Sequence, residues 1–123
     1  EADVVEIADN DFGLWYMDIT EDPQKYAGKQ VRFLAQVCQT PRVPKGSFAP
    51  GRFVMTCCAE DITFVGLVCK YEKVESLKDR DWVTITAKIK IEYAAIYGGK
   101  GPVLVASDVQ PAQKPGEEVV YFS

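Results

Sequence analysis

The sequence predicts an all-β domain with one short helix, folded as a small five-stranded barrel. Three observations carry this. Apolar residues alternate with a period of two in several runs, whereas no segment sustains a helical period. Clusters of Gly and Pro punctuate those runs. The 123 residues have room for one domain with its own core and little else.

Residues 1–11 are polar and acidic and are expected to form a flexible leader, with the single domain running over 12–123. Residues 12–19 (Phe-Gly-Leu-Trp-Tyr-Met-Asp-Ile) are apolar enough for a strand or an extended segment docked on the core. Thr20 suits a helix N-cap and Pro23 a first turn, so 20–27 reads as a short helix ended by Gly28. Residues 30–38 alternate cleanly: Val31, Phe33, Ala35 and Val37 share one face, Arg32 and Gln36 the other. Pro41, Pro44, Gly46, Pro50 and Gly51 mark 40–51 as a loop. Residues 52–58 and 62–71 read as the second and third strands, joined by Ala59-Glu60-Asp61. A charged turn follows at 77–81. Over 82–91, Val83, Ile85, Ala87, Ile89 and Ile91 face one way and Thr84, Thr86, Lys88 and Lys90 the other, which makes this the strongest strand. The fifth strand is 103–109, and the tail ends in a short apolar piece at 119–122. Five main strands and one helix fit an OB-like barrel, because closing the sheet removes its exposed edges.

The net charge of −4 hides an asymmetry. Glu1, Asp3, Glu6, Asp9, Asp11, Asp18, Glu21 and Asp22 precede the first cation, and all 14 Lys and Arg lie beyond residue 22. The body behind the acidic leader is therefore basic, and solvated surface lysines account for most of that. The absence of histidine excludes Ser-His-Asp and Cys-His catalysis within the chain and leaves zinc only sulfur and oxygen ligands. No apolar run approaches the ~20 residues that a membrane span needs. The chain opens at Glu1 without a Met, so it is expected to be a mature or excised piece whose anchor or membrane segments lie elsewhere.

Four motifs occur in one order: 22–31 (Asp-Pro-Gln-Lys-Tyr-Ala-Gly-Lys-Gln-Val), 52–61 (Arg-Phe-Val-Met-Thr-Cys-Cys-Ala-Glu-Asp), Val65-Gly66-Leu67 and Trp82-Val83. Together they resemble the extracellular C-terminal domain of the YcgQ-type family, thought to supply bacterial permease subunits, and the resemblance spans about 12–122. The Arg-Phe-x-x-x-Cys-Cys-Ala-x-Asp piece is its most specific part. The resemblance implies N-terminal membrane helices outside this chain, a separate permease subunit as partner, and an OB-like soluble domain at the extracellular face of the cell membrane. Near Cys38 the family usually carries an aromatic, so Cys38 is a departure.

The sharpest candidate site is Cys57-Cys58-Ala59-Glu60-Asp61. Neighbouring strand residues point to opposite faces, so both thiols cannot enter the core. If Cys57 lies with Phe53 and Met55 on the apolar face, Cys58 lies with Val54 and Thr56 on the other. Cys57, Cys58 and Asp61 offer ligands to a thiophilic metal, zinc or copper(I), which Cys38 or Cys69 would complete. The plainer reading makes them buried small hydrophobes with one cross-strand disulfide, and no cofactor is then required. Thiol redox catalysis is less apt, because it favours two cysteines two residues apart at a helix N-terminus.

Arg32, Arg42, Lys45, Arg52, Lys88 and Lys90, with Phe48, Trp82 and Tyr93, form the second candidate, a groove for single-stranded nucleic acid. A pI of about 4.8 argues against it. Gly98-Gly99-Lys100-Gly101-Pro102 reads as a hairpin loop and not a phosphate loop, because Pro102 leads into a strand. Phe12, Trp15 and Tyr16 are assigned to core packing ahead of a partner surface. The expected function is thus a non-enzymatic accessory domain of a permease system. Its ligand site is placed at Cys57, Cys58 and Asp61, and a docking surface at Arg42, Phe48, Arg52 and Trp82 beside the 40–51 loop.

Overall fold

A computed structural model describes residues 4–55 and 59–121. Five strands close a barrel: β2 (Gln30–Cys38), β3 (Ser47–Met55), β5 (Val68–Lys70), β6 (Trp82–Ala94) and β7 (Gly99–Pro111). Their order is β2-β6-β7-β5-β3, and β3 returns to β2 through Gln36↔Gly51, Val37↔Pro50 and Cys38↔Ala49. Every neighbouring pair is antiparallel except β5 with β7. This is the five-stranded arrangement of an OB barrel. A register shift between Thr86 and Ala87 interrupts the long β6–β7 ladder and supplies local curvature for closure. Three short strands extend the sheet: β1 (Val4–Ile7) runs parallel to β2, β4 (Thr63–Gly66) antiparallel to β3, and β8 (Val119–Tyr121) parallel to β3.

The alternation seen in the sequence fills the barrel. Val31, Phe33, Ala35 and Val37 from β2 are buried with Val83, Ile85, Ala87 and Ile89 from β6. Phe48, Val54, Leu67, Cys69 and Leu104 join them. The segment expected to be extended at 12–19 is instead the helix α1 (Phe12–Glu21). Phe12, Trp15 and Ile19, spaced three and seven residues from the first, form one buried stripe over the barrel. The Phe12 and Trp15 rings lie 5.6 and 5.2 Å from that of Phe33. Thr20 is not a cap. It sits in the last turn, and its hydroxyl donates back to the Tyr16 and Met17 carbonyls. The remaining helical turn is a 3-10 segment at Pro23–Tyr26.

Other boundaries also differ from expectation. The leader is not free, because Val4–Ile7 pairs with Gln30–Phe33 and Glu6 forms an ion pair with Arg32. The 40–51 loop is shorter, since β3 begins at Ser47. The single strand expected over 62–71 breaks at Leu67, where β4 leaves β3 and β5 begins its pairing with β7. The β6–β7 turn is confined to a 3-10 segment at Ala95–Tyr97 and Gly98, whose φ of 71° suits glycine. The Tyr97 hydroxyl pins this turn to the barrel, accepting from the Val68 amide at 2.9 Å and donating to the Pro102 carbonyl at 2.8 Å.

Candidate functional site

The outer face of β3 and β4 carries an aromatic pair. Phe53 and Phe64 are register partners whose rings meet edge to face, centroids 5.2 Å apart at 71°. With Gln36, Val37, Cys38, Asp79 and Arg80 they line a groove of about 110 Å³.

Gln36 is the most informative residue in that groove. It points away from the core, yet is only 8% exposed, because Gly51 and Trp82 flank it in the sheet. Its Nε2 donates to the Arg80 carbonyl at 3.2 Å, which assigns Oε1 as the free end, and that buried oxygen has no partner among the described residues. A buried acceptor left unmatched costs about 1–3 kcal/mol. Arg80 adopts a φ of 75°, unusual for a residue with a side chain, and is held there by its amide donating to the Val37 carbonyl at 2.7 Å. Backbone strain and an unmatched acceptor therefore meet in one small groove. Beside them, Asp79 accepts from the Gln39 amide at 2.8 Å.

Cys38 is a half-buried free thiol in the same groove. Burial, and after it the negative charge of Asp79, raises its pKa above the ordinary value of 9.0, against an opposing pull from Arg80. The thiolate is therefore scarcer at neutral pH than for a free cysteine. Alkylation of Cys38 by iodoacetamide, followed by peptide mapping, is expected to be slow at pH 7 and to reach its half-maximal rate at a higher pH than a free cysteine does. Asp79→Asn should move that midpoint to lower pH, and an unchanged profile would remove Asp79 as a cause.

Cys69, the other thiol expected to complete a ligand set, lies apart from this groove. It is fully buried in the core, and its thiol is pushed up to about 12 by desolvation. Cys38 and Cys69 are both free thiols, each in its own setting. Cys57 and Cys58 lie outside the described residues, so the site expected there is not placed. Asp61 is exposed in a 3-10 turn at Ala59–Asp61 leading into β4. Among the described residues no group of three or more His, Cys, Asp or Glu side chains could hold a metal ion. The facing expected for β3 is also reversed: Val54 is the core residue, and Phe53 and Met55 are half-buried.

Two members of the expected docking surface are internal. Phe48 is fully buried, with its ring against that of Tyr71. Arg52 is likewise fully buried. Its Nη1 pairs with Asp9 at 2.9 Å, its Nη2 donates to the Glu117 and Glu118 carbonyls at 3.1 and 3.4 Å, and its guanidinium lies 5.1 Å from the Trp82 ring centre. Arg52 thus ties the segments flanking β1 and β8 to the barrel and is not offered to a partner. Arg42 is exposed in the loop, and Trp82 is half-buried. Sequence reasoning missed Gln36, Phe64 and Arg80 as site residues. The available signal was apolar character on both faces of 52–55, which implies that the outer face also needs cover.

The DUF1980 C-terminal domain model matches residues 1–122 of this chain. The chain is also 23% identical over 117 residues to UPF0703 protein YcgQ of Bacillus subtilis strain 168, covering 95% of this chain and 41% of that protein. Among solved structures it is similar to the telomere capping protein Ten1 from S. pombe (12% identity, 94% of this chain and 86% of that one, TM-score 0.47). It is also similar to the S. pombe Stn1–Ten1 complex (11% identity, 94% and 81%, TM-score 0.46). With nearly its whole length matched by one family model, as the motifs at 22–31 and 52–61 implied, the chain belongs to the DUF1980 C-terminal domain family.

Proposed function

We propose that this domain is a non-enzymatic binding module of a membrane permease system, held at the outer face of the bacterial cell membrane beside a separate permease subunit. The observation that carries the binding role is the buried, unmatched Gln36 oxygen in a groove walled by Phe53 and Phe64. A donor-bearing group that enters such a groove gains both a hydrogen bond and apolar contact. The accessory role rests on the family resemblance. The chain spans 41% of the length of the YcgQ relative, and the remainder of such a protein is where the implied membrane helices belong.

The test is to express the full-length protein with the permease encoded beside it, tagging one of the two. Retention of the untagged partner through purification in mild detergent is expected, and its absence from every detergent tried would overturn the permease role. Membrane-impermeant amine labelling of intact cells should reach this domain. Labelling only after lysis would overturn the outward location.

A further inference from the structure

A second groove, of about 530 Å³, runs between β1 and α1 and shares no lining residue with the Cys38 groove. Three observations converge on it. Val5 and Leu14 line it while 44% and 53% exposed, and Met17, one turn beyond Leu14, is 40% exposed. Val5 and Leu14 thus flank the groove from the strand and from a helix whose Phe12, Trp15 and Ile19 stripe is buried over the barrel. Trp15 lines the same groove at 6% exposure, and its buried indole Nε1–H has no acceptor among the described residues. The rim is acidic. Glu6 and Asp18 are matched by Arg32 and Lys25, whereas Asp11 has no ion pair among the described residues and its carboxylate makes no cap hydrogen bond. Beyond the rim, β1 pairs with β2 on one side and, among the described residues, with no strand on the other.

We infer that this groove docks an extended, lysine- or arginine-bearing segment of a partner protein, laid along the open edge of β1. An added strand places apolar side chains alternately on Val5 and Leu14 and sets a cation opposite Asp11. Charge selects this occupant over others. Anionic lipid headgroups and nucleic acid are repelled by a rim whose unmatched charge is negative, and a second copy of the chain would bring the same acidic face. The inference does not depend on the permease reading, because it concerns the chemistry of the segment and not the protein that carries it.

The test uses the whole domain, isotope-labelled for NMR, and two short soluble peptides: one alternating lysine with valine, the other with glutamate in place of lysine. The lysine peptide is expected to shift the amide signals of Val4–Ile7 and Phe12–Glu21 together with the Trp15 indole N–H. Its binding should weaken as salt screens the exposed charges over ~10 Å at 0.1 M. Leu14→Asp and Asp11→Lys, both at the surface and neutral to the core, should each lower affinity about tenfold. Absence of binding, equal binding of the glutamate peptide, a Trp15 indole signal that stays in place, or undiminished affinity in both variants would each overturn the inference.

Discussion

Arg52→Ala is expected to lower the unfolding free energy by about 3 kcal/mol, measured as a shift of the urea midpoint at unchanged slope. The substitution removes charge-assisted hydrogen bonds to Asp9 and to the Glu117 and Glu118 carbonyls, and leaves a void beside Trp82. Asp9→Ala tests the same clamp from its half-exposed end. It should also destabilise, because the guanidinium stays buried with one of its anchors gone. Arg52→Lys should not rescue, since an ammonium cannot reach the carboxylate and two carbonyls with one planar fork. The loss should be seen first as faster hydrogen exchange in β1 and β8, the strands next to Asp9 and Glu118 in the chain. A variant that unfolds within about 0.5 kcal/mol of the parent, the range of ordinary surface changes, would refute the clamp.

Gly51→Ala should be at least as damaging, for a steric reason. A methyl group at position 51 would stand 2.0 Å from the Val65 carbonyl oxygen and 2.8 Å from its carbon, both backbone atoms of the adjoining strand. No rotamer change relieves that contact, so the β3–β4 ladder must open where Gly51 faces Gly66. A loss above about 3 kcal/mol is expected, read as a fall in melting temperature of about 10 °C or more. The Phe53–Phe64 pair lies two residues along the same ladder, so its aromatic NMR signals should shift with the loss of stability. Unchanged melting with unchanged Phe53 and Phe64 signals would show that the strands do not approach this closely. Gly66→Ala provides an independent check, because its methyl would meet the Pro50 carbonyl oxygen at 2.7 Å.

The two predictions concern residues that the sequence could not rank. Arg52 reads as an exposed member of a docking surface, yet its partners are 43 and 65 residues away along the chain. Gly51 reads as loop punctuation, yet it is the point at which β2, β3 and β4 converge. Phe48 follows the same pattern, an apparent loop aromatic that the early start of β3 draws into the core. The candidate groove was legible only in pieces. Cys38 stood out as a thiol, but Gln36 gained its meaning from being buried between Gly51 and Trp82, and Arg80 from a backbone conformation that composition does not announce.

By itself the sequence determined the closed β architecture, the inward faces of β2 and β6, and the membership that the motifs implied. Alternation is a local property, and it survives whatever the strands pair with. Tertiary structure alone decided that 12–21 is a helix, that the acidic leader adds a strand, and that Arg52 is a clamp. An apolar run this short suits strand and helix alike, and a charged side chain enters the interior only when distant segments bring the hydrogen-bond partners that offset its lost hydration.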